Sequence, residues 1–207
     1  MKTKNVVTKK MSFSDDYGLT RAVIELRKTM TRKIIPLTDT DKTYLDTAFD
    51  WDLRERVIID RYSKYKVGEV VAVAQSYKSV FEESLRYEKP LWHWLDDHVG
   101  HKGFENKMFV KASEMPHQIQ ITSVKIERLQ AISEEDCLRE GIQECFPFID
   151  RNSNYKVRTF QYFKRGIVRK RISPASRCFA YLIDDISGKG TWTSNPYVFV
   201  YSFKLIK

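Results

Sequence analysis

Hydroxyl and cationic side chains are crowded between an apolar helical pattern and a short β-branched run. They are Lys28, Thr29, Thr31, Arg32 and Lys33, in the stretch LRKTMTRKIIP. A hydroxyl beside an amine can hydrolyse an amide, because the hydroxyl supplies a nucleophile and the amine supplies a base. Thr31 and Lys28 fit these roles if burial and the neighbouring cations lower the pKa of Lys28. The alternative interpretation is a helix-end cation followed by ordinary strand residues.

A second stretch is strongly basic. Nine of the 36 Lys and Arg residues lie within residues 151–177, which contain no Asp or Glu, so the net charge of +9 resides in this stretch. Its aromatic residues are Tyr155, Phe160, Tyr162 and Phe163. Cations neutralise phosphates and aromatic rings stack on unpaired bases, so the stretch predicts binding of nucleic acid or nucleotides. The predicted contacts are Lys164, Arg165, Arg169, Lys170 and Arg171. The alternative is a solvated basic insertion whose aromatic residues pack in the core.

Histidine and acidic residues cluster in the stretch HWLDDHVGH. On a helix, His93, Asp97 and His101 would recur on one face, a spacing that can hold a divalent ion such as zinc. Trp92 and Leu95 indicate a neighbouring core face. A surface helix is the preferred interpretation, and the sequence assigns neither a metal nor a cofactor.

Composition limits the class of protein. With 207 residues, 42% hydrophobic and 30% charged, the chain predicts one globular domain. Apolar runs such as VVAVA at residues 70–74 are too short to cross a membrane, and the first residues lack the pattern of a secretory signal. We therefore expect a soluble cytoplasmic protein. Cys137, Cys145 and Cys178 form no CxxC pair and are expected to be unpaired core residues.

Short helices and strands should position these residues. Helical spacing of Leu19, Ala22, Val23 and Leu26 predicts a helix that acids at 15–16 can cap and that ends near residue 28. Strands are predicted at TRKII, at VGEVVAV after a turn at Gly68, at QIQITSVKIERL and at YVFVYSFKL. The third of these needs a bulge near residues 122–123 to keep its apolar residues on one side, and the fourth should bury one aromatic face.

Two later helices have clear end signals. Ser133 and Gly141 should cap a helix over SEEDCLREG, and Ser173 with Pro174 should begin one over PASRCFAYLIDDIS. Residues 38–62 are polar and helix-compatible. Strands separated by short helices, without a repeated βαβ unit, favour an α+β mixed barrel.

Four stretches together resemble the ASCH (activating signal cointegrator homology) family, in the longer form of phage and bacterial genomes. They are RKTMTRK, KVGEVVAV, QITSVKIERLQAISEEDCLREGI and FAYLIDDISGKGTWTSNPYVFVYSFKLI. The resemblance implies a single PUA-like β-barrel domain, associated with RNA recognition, with a cleft beside the first helix. The barrel blocks would be about 14–36, 66–77, 107–142 and 176–207, and the insertions about 37–65, 78–106 and 143–175.

The family's signature looks like G-x-K-x-x-[E/T]-x-R. Lys28 and Thr31 match it, Lys33 stands at the arginine position and Leu26 at the glycine position. The chain is also similar to small amidohydrolases that deacetylate acetylated cytidine, and this similarity implies Lys28, Thr31 and Glu140 as catalytic residues. Thr29, Arg32 and Lys33 would then contact the substrate.

Two hypotheses follow. The first is a nucleic-acid or nucleotide-binding module, with RNA favoured over DNA, whose ligand lies in a cleft lined by Lys28, Thr31, Lys33 and Glu140. The second is an amidohydrolase acting on a modified nucleoside, with Thr31 as nucleophile, Lys28 as base and Glu140 as acid or base.

Overall fold

The computed structural model of the protein describes residues 7–47, 49–149 and 156–206. Its strands are β1 (Lys10–Met11), β2 (Met30–Ile34), β3 (Val70–Val73), β4 (Gln118–Arg128), β5 (Gln143–Ile149), β6 (Lys156–Lys164), β7 (Ile167–Ile172) and β8 (Tyr197–Leu205). Its α-helices are α1 (Leu19–Ile24), α2 (Asp39–Asp46), α3 (Trp51–Tyr62), α4 (Tyr77–Arg86), α5 (Trp92–His98), α6 (Glu134–Arg139), α7 (Ala175–Ser187) and α8 (Thr191–Ser194). Short 3₁₀ helices lie at Lys107–Phe109, Ala112–Glu114 and Leu129–Ala131. The fold class is α+β, as predicted. None of the described helices is long and apolar enough to cross a membrane.

The strands form two sheets. The larger sheet has the order β1-β3-β4-β8-β2, in which only the β1–β3 pair is parallel. The smaller sheet is the antiparallel set β5-β6-β7. Within the described residues β1 and β2 are the edges of the larger sheet and do not pair with each other. The larger sheet is therefore open rather than a closed barrel.

Strand β8 is central and buried on both sides. Its predicted aromatic face is buried, with Tyr197 at 7% and Phe199 at 3% exposure, but Val198 and Val200 on the other face are buried as well. The predicted burial of the aromatic face is therefore confirmed, and the burial of the opposite face was not expected from the alternation. Trp51 of α3 packs on the Tyr197 ring, with 6.4 Å between ring centroids.

The bulge predicted in β4 is confirmed. The pairing of β4 with β8 shifts register between Ile121 and Ser123. An extra residue at this point returns the following side chains to the same face. Ile119, Ile121 and Ile126 are consequently all buried.

The two ends of α6 follow the sequence prediction. The Ser133 hydroxyl accepts a hydrogen bond from the Asp136 amide at 3.1 Å, which caps the helix. Gly141 has φ of 106°, a left-handed conformation that glycine adopts without steric cost. Glu140 is the residue between the last helical residue and this glycine, so its position is fixed by the helix end.

Helix α1 differs from the prediction at both ends. Gly18 precedes it without any side-chain cap, and the helix ends at Ile24. Leu26 has φ of 60° and is 64% exposed, so the expectation that it continues the apolar face was wrong. The amides of Arg27 and Lys28 both donate to the Ala22 carbonyl, a turn that redirects the chain before another helical turn can form.

Other helices complete the core. The predicted helix-compatible stretch contains α2 and α3, and Leu45 and Ile58 from these helices are buried with the main core. Helix α7 buries Phe179 and Leu182. Pro174 precedes α7 instead of occupying its first position, and Ser173 does not cap it, so that predicted start was wrong by one residue.

Candidate functional site

One cavity contains the three residues predicted as catalytic. Lys28, Thr31 and Glu140 line a cavity of about 280 Å³, whose other walls are largely apolar side chains of α7 and its neighbours. Lys28 is 2% exposed, Glu140 4% and Thr31 5%. The cavity therefore brings together a buried hydroxyl, a buried amine and a buried carboxyl group.

Three different elements carry these residues. Lys28 lies in the turn between α1 and β2, and its amide donates to the Ala22 carbonyl at 2.9 Å. Thr31 lies on β2, paired with Tyr201 of β8. The Thr29 amide donates to the Arg139 carbonyl at 3.0 Å, which joins the start of β2 to the end of α6 beside Glu140. Main-chain hydrogen bonds thus fix the distance between the two halves of the site.

Lys28 and Glu140 form a buried ion pair. The Lys28 Nζ donates to Glu140 Oε2 at 2.6 Å and to the Glu140 carbonyl at 2.8 Å. Burial lowers the pKa of Lys28, the Glu140 carboxylate opposes that shift, and the Arg32 charge adds to it. Because an ammonium has three N–H bonds and Glu140 takes two, one donor remains for another partner.

Arg32 is directed toward carboxylates. Its guanidinium donates to Glu127 Oε1 at 2.5 Å, Asp136 Oδ2 at 3.1 Å and Glu140 Oε1 at 3.2 Å. Its side chain is 1% exposed. Arg32 therefore holds Glu140 in place, whereas the sequence predicts it only as a substrate contact.

The two other predicted substrate contacts are placed differently. Lys33 lines the cavity and is exposed, and its Nζ donates to the Ser12 carbonyl at 3.3 Å. Desolvation of its ammonium group lowers the pKa of Lys33, and the charge of Lys28 lowers it further. Thr29 is half-buried and does not line the cavity; its hydroxyl accepts a hydrogen bond from Arg139 Nε at 3.4 Å.

Glu127 and Asp136 were not predicted as site residues. Asp136 lies in the first turn of α6 and Glu127 near the end of β4, positions where acidic residues are common without any functional role. The one sign of a site in the sequence is that these two acids stand on either side of the short 3₁₀ helix Leu129–Ala131, which joins β4 to α6. Their role depends on Arg32, which is far away in sequence.

The predicted nucleic-acid contacts lie on and beside β7. Ion pairs join Arg165 to Asp16 at 3.3 Å and Arg169 to Asp185 at 4.0 Å. Arg171 donates to Gln161 Oε1 at 3.3 Å. The two lysines lie over aromatic rings: Lys164 is 5.3 Å from the Tyr17 centroid and Lys170 is 4.5 Å from that of Tyr181.

Two aromatic residues of the basic stretch are buried and cannot stack on bases. Phe160 is 1% and Tyr162 3% exposed. These two belong to the core, so the expectation that they stack on bases was wrong. Arg151 and Tyr155 lie outside the described residues.

The histidine cluster does not form the predicted face. Helix α5 ends at His98, so His101 lies beyond it. Trp92, which was expected in the core, is 59% exposed, and Trp94 instead packs on Tyr77 with 5.6 Å between ring centroids. In the part of the chain that the structure describes, no three His, Cys, Asp or Glu residues are arranged to hold a metal ion.

Cys137 lies near the site but is buried. Burial raises the pKa of the Cys137 thiol to about 12, and it has the same effect on Cys178. A thiol with so high a pKa is protonated at neutral pH and is a poor nucleophile. Both residues serve the core, as predicted from their number and spacing.

The cavity thus combines a buried ion pair, a threonine hydroxyl and an apolar wall. No family model, curated protein or solved structure matches this chain.

Proposed function

We propose that the protein is an ASCH-type amidohydrolase that removes an acyl group from a modified nucleoside, such as acetylated cytidine. The observation that carries the proposal is the convergence of Lys28, Thr31 and Glu140 on one cavity. They belong to two stretches that lie far apart in the sequence. The open five-stranded sheet would then be a PUA-like scaffold.

The cavity volume favours a small ligand. About 280 Å³ lies near the lower end of the range for small-molecule pockets. Apolar side chains such as Phe179 and Leu182 provide a wall suited to the flat face of a base. A single modified nucleoside suits such a cavity better than a folded polynucleotide does.

The ion pair can supply both an acid and a base. Transfer of one proton from Lys28 to Glu140 along their 2.6 Å hydrogen bond leaves a neutral amine beside a neutral carboxyl group. Burial lowers the pKa of Lys28 and so favours the neutral amine. The neutral pair is the reactive form in our proposal.

The reaction has two steps. In the first, the Thr31 hydroxyl oxygen attacks the acyl carbon, the hydroxyl proton passes to Lys28, and the C–N bond breaks as Glu140 protonates the leaving amine. The acyl group is then an ester on Thr31. In the second, the hydroxyl of water joins the acyl carbon while its remaining proton passes to Glu140, and the ester C–O bond breaks as Lys28 returns a proton to Thr31. A carboxylic acid leaves and the neutral pair is restored.

The experiment is a comparison of two threonine variants. Purified native protein, Thr31→Ser and Thr31→Val are incubated with acetylated cytidine and other acylated nucleosides, and products are followed by chromatography. Native protein and Thr31→Ser should release the free amine, and Thr31→Val should lose at least about 100-fold in rate. Turnover by Thr31→Val equal to that of native protein would rule out Thr31 as the nucleophile. If the native protein releases no free amine from any of these substrates, the proposal of a hydrolase is rejected.

A nucleic-acid or nucleotide-binding module without catalysis is the second candidate. It is favoured by β7, where Ile167, Val168, Arg169, Lys170 and Arg171 are all exposed. Its test is binding to single-stranded RNA at several salt concentrations, because phosphate contacts weaken as salt rises. Salt-independent binding, or none, would exclude it.

A further inference from the structure

A second cavity lies beside the first and is lined by three lysines. Lys10, Lys33 and Lys64 line this cavity of about 390 Å³, which we name the lysine pocket. None of its lining residues is Asp or Glu. Tyr65 and Tyr201 contribute aromatic surface to the same pocket. Its electrostatic character is therefore cationic.

The lysine pocket adjoins the site at the end of β2. Lys33 and Ile34 line both cavities. Thr31 and Lys33 are two residues apart on the strand, so they share a face and their Cα atoms are about 7 Å apart. A ligand bound at Thr31 is consequently within reach of the lysine pocket.

In the part of the chain that the structure describes, the three lysines have no carboxylate partners. Lys10 Nζ donates to the carbonyls of Met108 and Val110 at 2.8 and 2.6 Å, and Lys33 Nζ donates to that of Ser12 at 3.3 Å. Among the described residues no Asp or Glu forms a salt bridge with Lys10, Lys33 or Lys64. Lys9, next in the chain, differs in pairing with Glu69 at 2.8 Å.

The lysine charges repel one another. Desolvation lowers the pKa of Lys10, and the nearby Lys64 charge lowers it further. Desolvation and the Lys28 charge lower the pKa of Lys33, the Glu140 carboxylate opposes that shift, and Lys64 adds a smaller lowering. Three cations gathered without carboxylates favour an anion carrying more than one charge.

We propose that the lysine pocket binds the phosphate group of a mononucleotide whose acylated base occupies the first cavity. Lysine ammonium groups bind phosphate as point charges. The carbonyl partners leave Lys10 with one further N–H donor and Lys33 with two. The occupant of the first cavity rests on the proposed function. The substrate class becomes an acylated nucleoside monophosphate rather than the free nucleoside.

The test compares ligands with and without phosphate. Turnover of acetylated cytidine is measured against that of its 5′- and 3′-monophosphates, and binding of cytidine, cytidine monophosphates and inorganic phosphate is measured by calorimetry. Both series use native protein, Lys64→Met and Lys66→Met. Lys64 and Lys66 are both exposed, but only Lys64 lines the pocket, so Lys66→Met controls for loss of one charge.

The native protein should prefer one monophosphate by at least about tenfold in kcat/KM and in Kd. Lys64→Met should remove most of this preference, and Lys66→Met should leave it unchanged. Equal values for nucleoside and monophosphates would overturn the phosphate site while leaving the hydrolase intact.

Two other outcomes are equally decisive. Lys64-dependent binding of cytidine monophosphate without turnover of any substrate would support the phosphate site and remove the proposed hydrolase. If a short oligonucleotide binds more tightly than either monophosphate, the mononucleotide assignment is overturned.

Discussion

The Nζ of Lys28 lies 2.6 Å from a carboxylate oxygen of Glu140, although 112 positions separate the two residues in the chain. Their side chains are 2% and 5% exposed. Such a pair costs free energy to bury and recovers it only if both partners remain. The pair is thus both the proposed reactive group and a structural link between the α1 turn and the end of α6.

Removal of Lys28 should destabilise the fold. Lys28→Met leaves the Glu140 carboxylate buried with Arg32 as its remaining cation, and we expect a loss of about 3 kcal/mol in the free energy of unfolding. The double variant Lys28→Met/Glu140→Leu should recover part of that loss, because no buried charge is left unpaired. Urea denaturation at neutral pH measures both. Lys42→Met, which breaks only an exposed pair with Asp39, should change stability by less than about 0.5 kcal/mol. Native-like stability of Lys28→Met would show that the pair contributes nothing.

Replacement of Arg32 by lysine should destabilise the protein. An ammonium cannot bridge the carboxylates of Glu127, Asp136 and Glu140 as the guanidinium does, so Arg32→Lys should cost about 2–3 kcal/mol. The control is Arg21→Lys, in which an exposed ion pair with Glu25 is changed and little loss is expected. Both are read from denaturant midpoints. Equal midpoints for the two variants would contradict the positioning role of Arg32.

Replacement of Leu26 by glycine should stabilise the protein. Leu26 has φ of 60°, a conformation that costs a non-glycine residue about 1 kcal/mol, and its side chain is mostly exposed. Leu26→Gly should therefore raise Tm by about 2–4 °C. Leu26→Ala keeps the Cβ and should give no such gain. Calorimetry of the three proteins provides the measurement, and a lower Tm for the glycine variant would mean that the leucine side chain contributes more than its backbone costs.

Ionisation of the Tyr65 phenol should lower the free energy of unfolding at alkaline pH. Burial raises its pKa from 10.0 to about 12. Between these values the unfolded chain releases the phenolic proton while the folded protein retains it, so the folded state binds more protons and loses stability as pH rises. Tyr65→Phe lacks this proton, although it also loses the hydrogen bond to the Lys10 carbonyl. The stability difference between native protein and Tyr65→Phe, measured by denaturation at pH 8 to 12, should shrink as pH increases. A constant difference would show that the phenol ionises equally in both states.

Local signals in the sequence were reliable where neighbouring residues decide the structure. The change of parity between Ile121 and Val124 requires a bulge whatever the strand pairs with, and the pairing shift appears there. Ser133 and Gly141 likewise act on residues within one helical turn, and both helix-end predictions are confirmed.

Long-range relationships could not be predicted in this way. The sequence contains no sign that Asp16 and Asp185 partner Arg165 and Arg169, so the basic stretch looked less compensated than it is. Lys10 and Lys64 were missed because they are brought together only when β1 packs beside the segment after α3. The burial of both faces of β8 depends on the elements that pack on either side of the sheet, which alternation alone does not reveal.

The position of β8 has a consequence for folding kinetics. Within the described chain, β2 has β8 as its single strand partner, although most of the sequence lies between them. The two strands can pair only after a very large loop has closed. The conformational entropy lost in that closure is not compensated until the strands make contact, so folding is slow. Thr31 can take its place only after that closure, so the site should be among the last parts of the molecule to form during refolding.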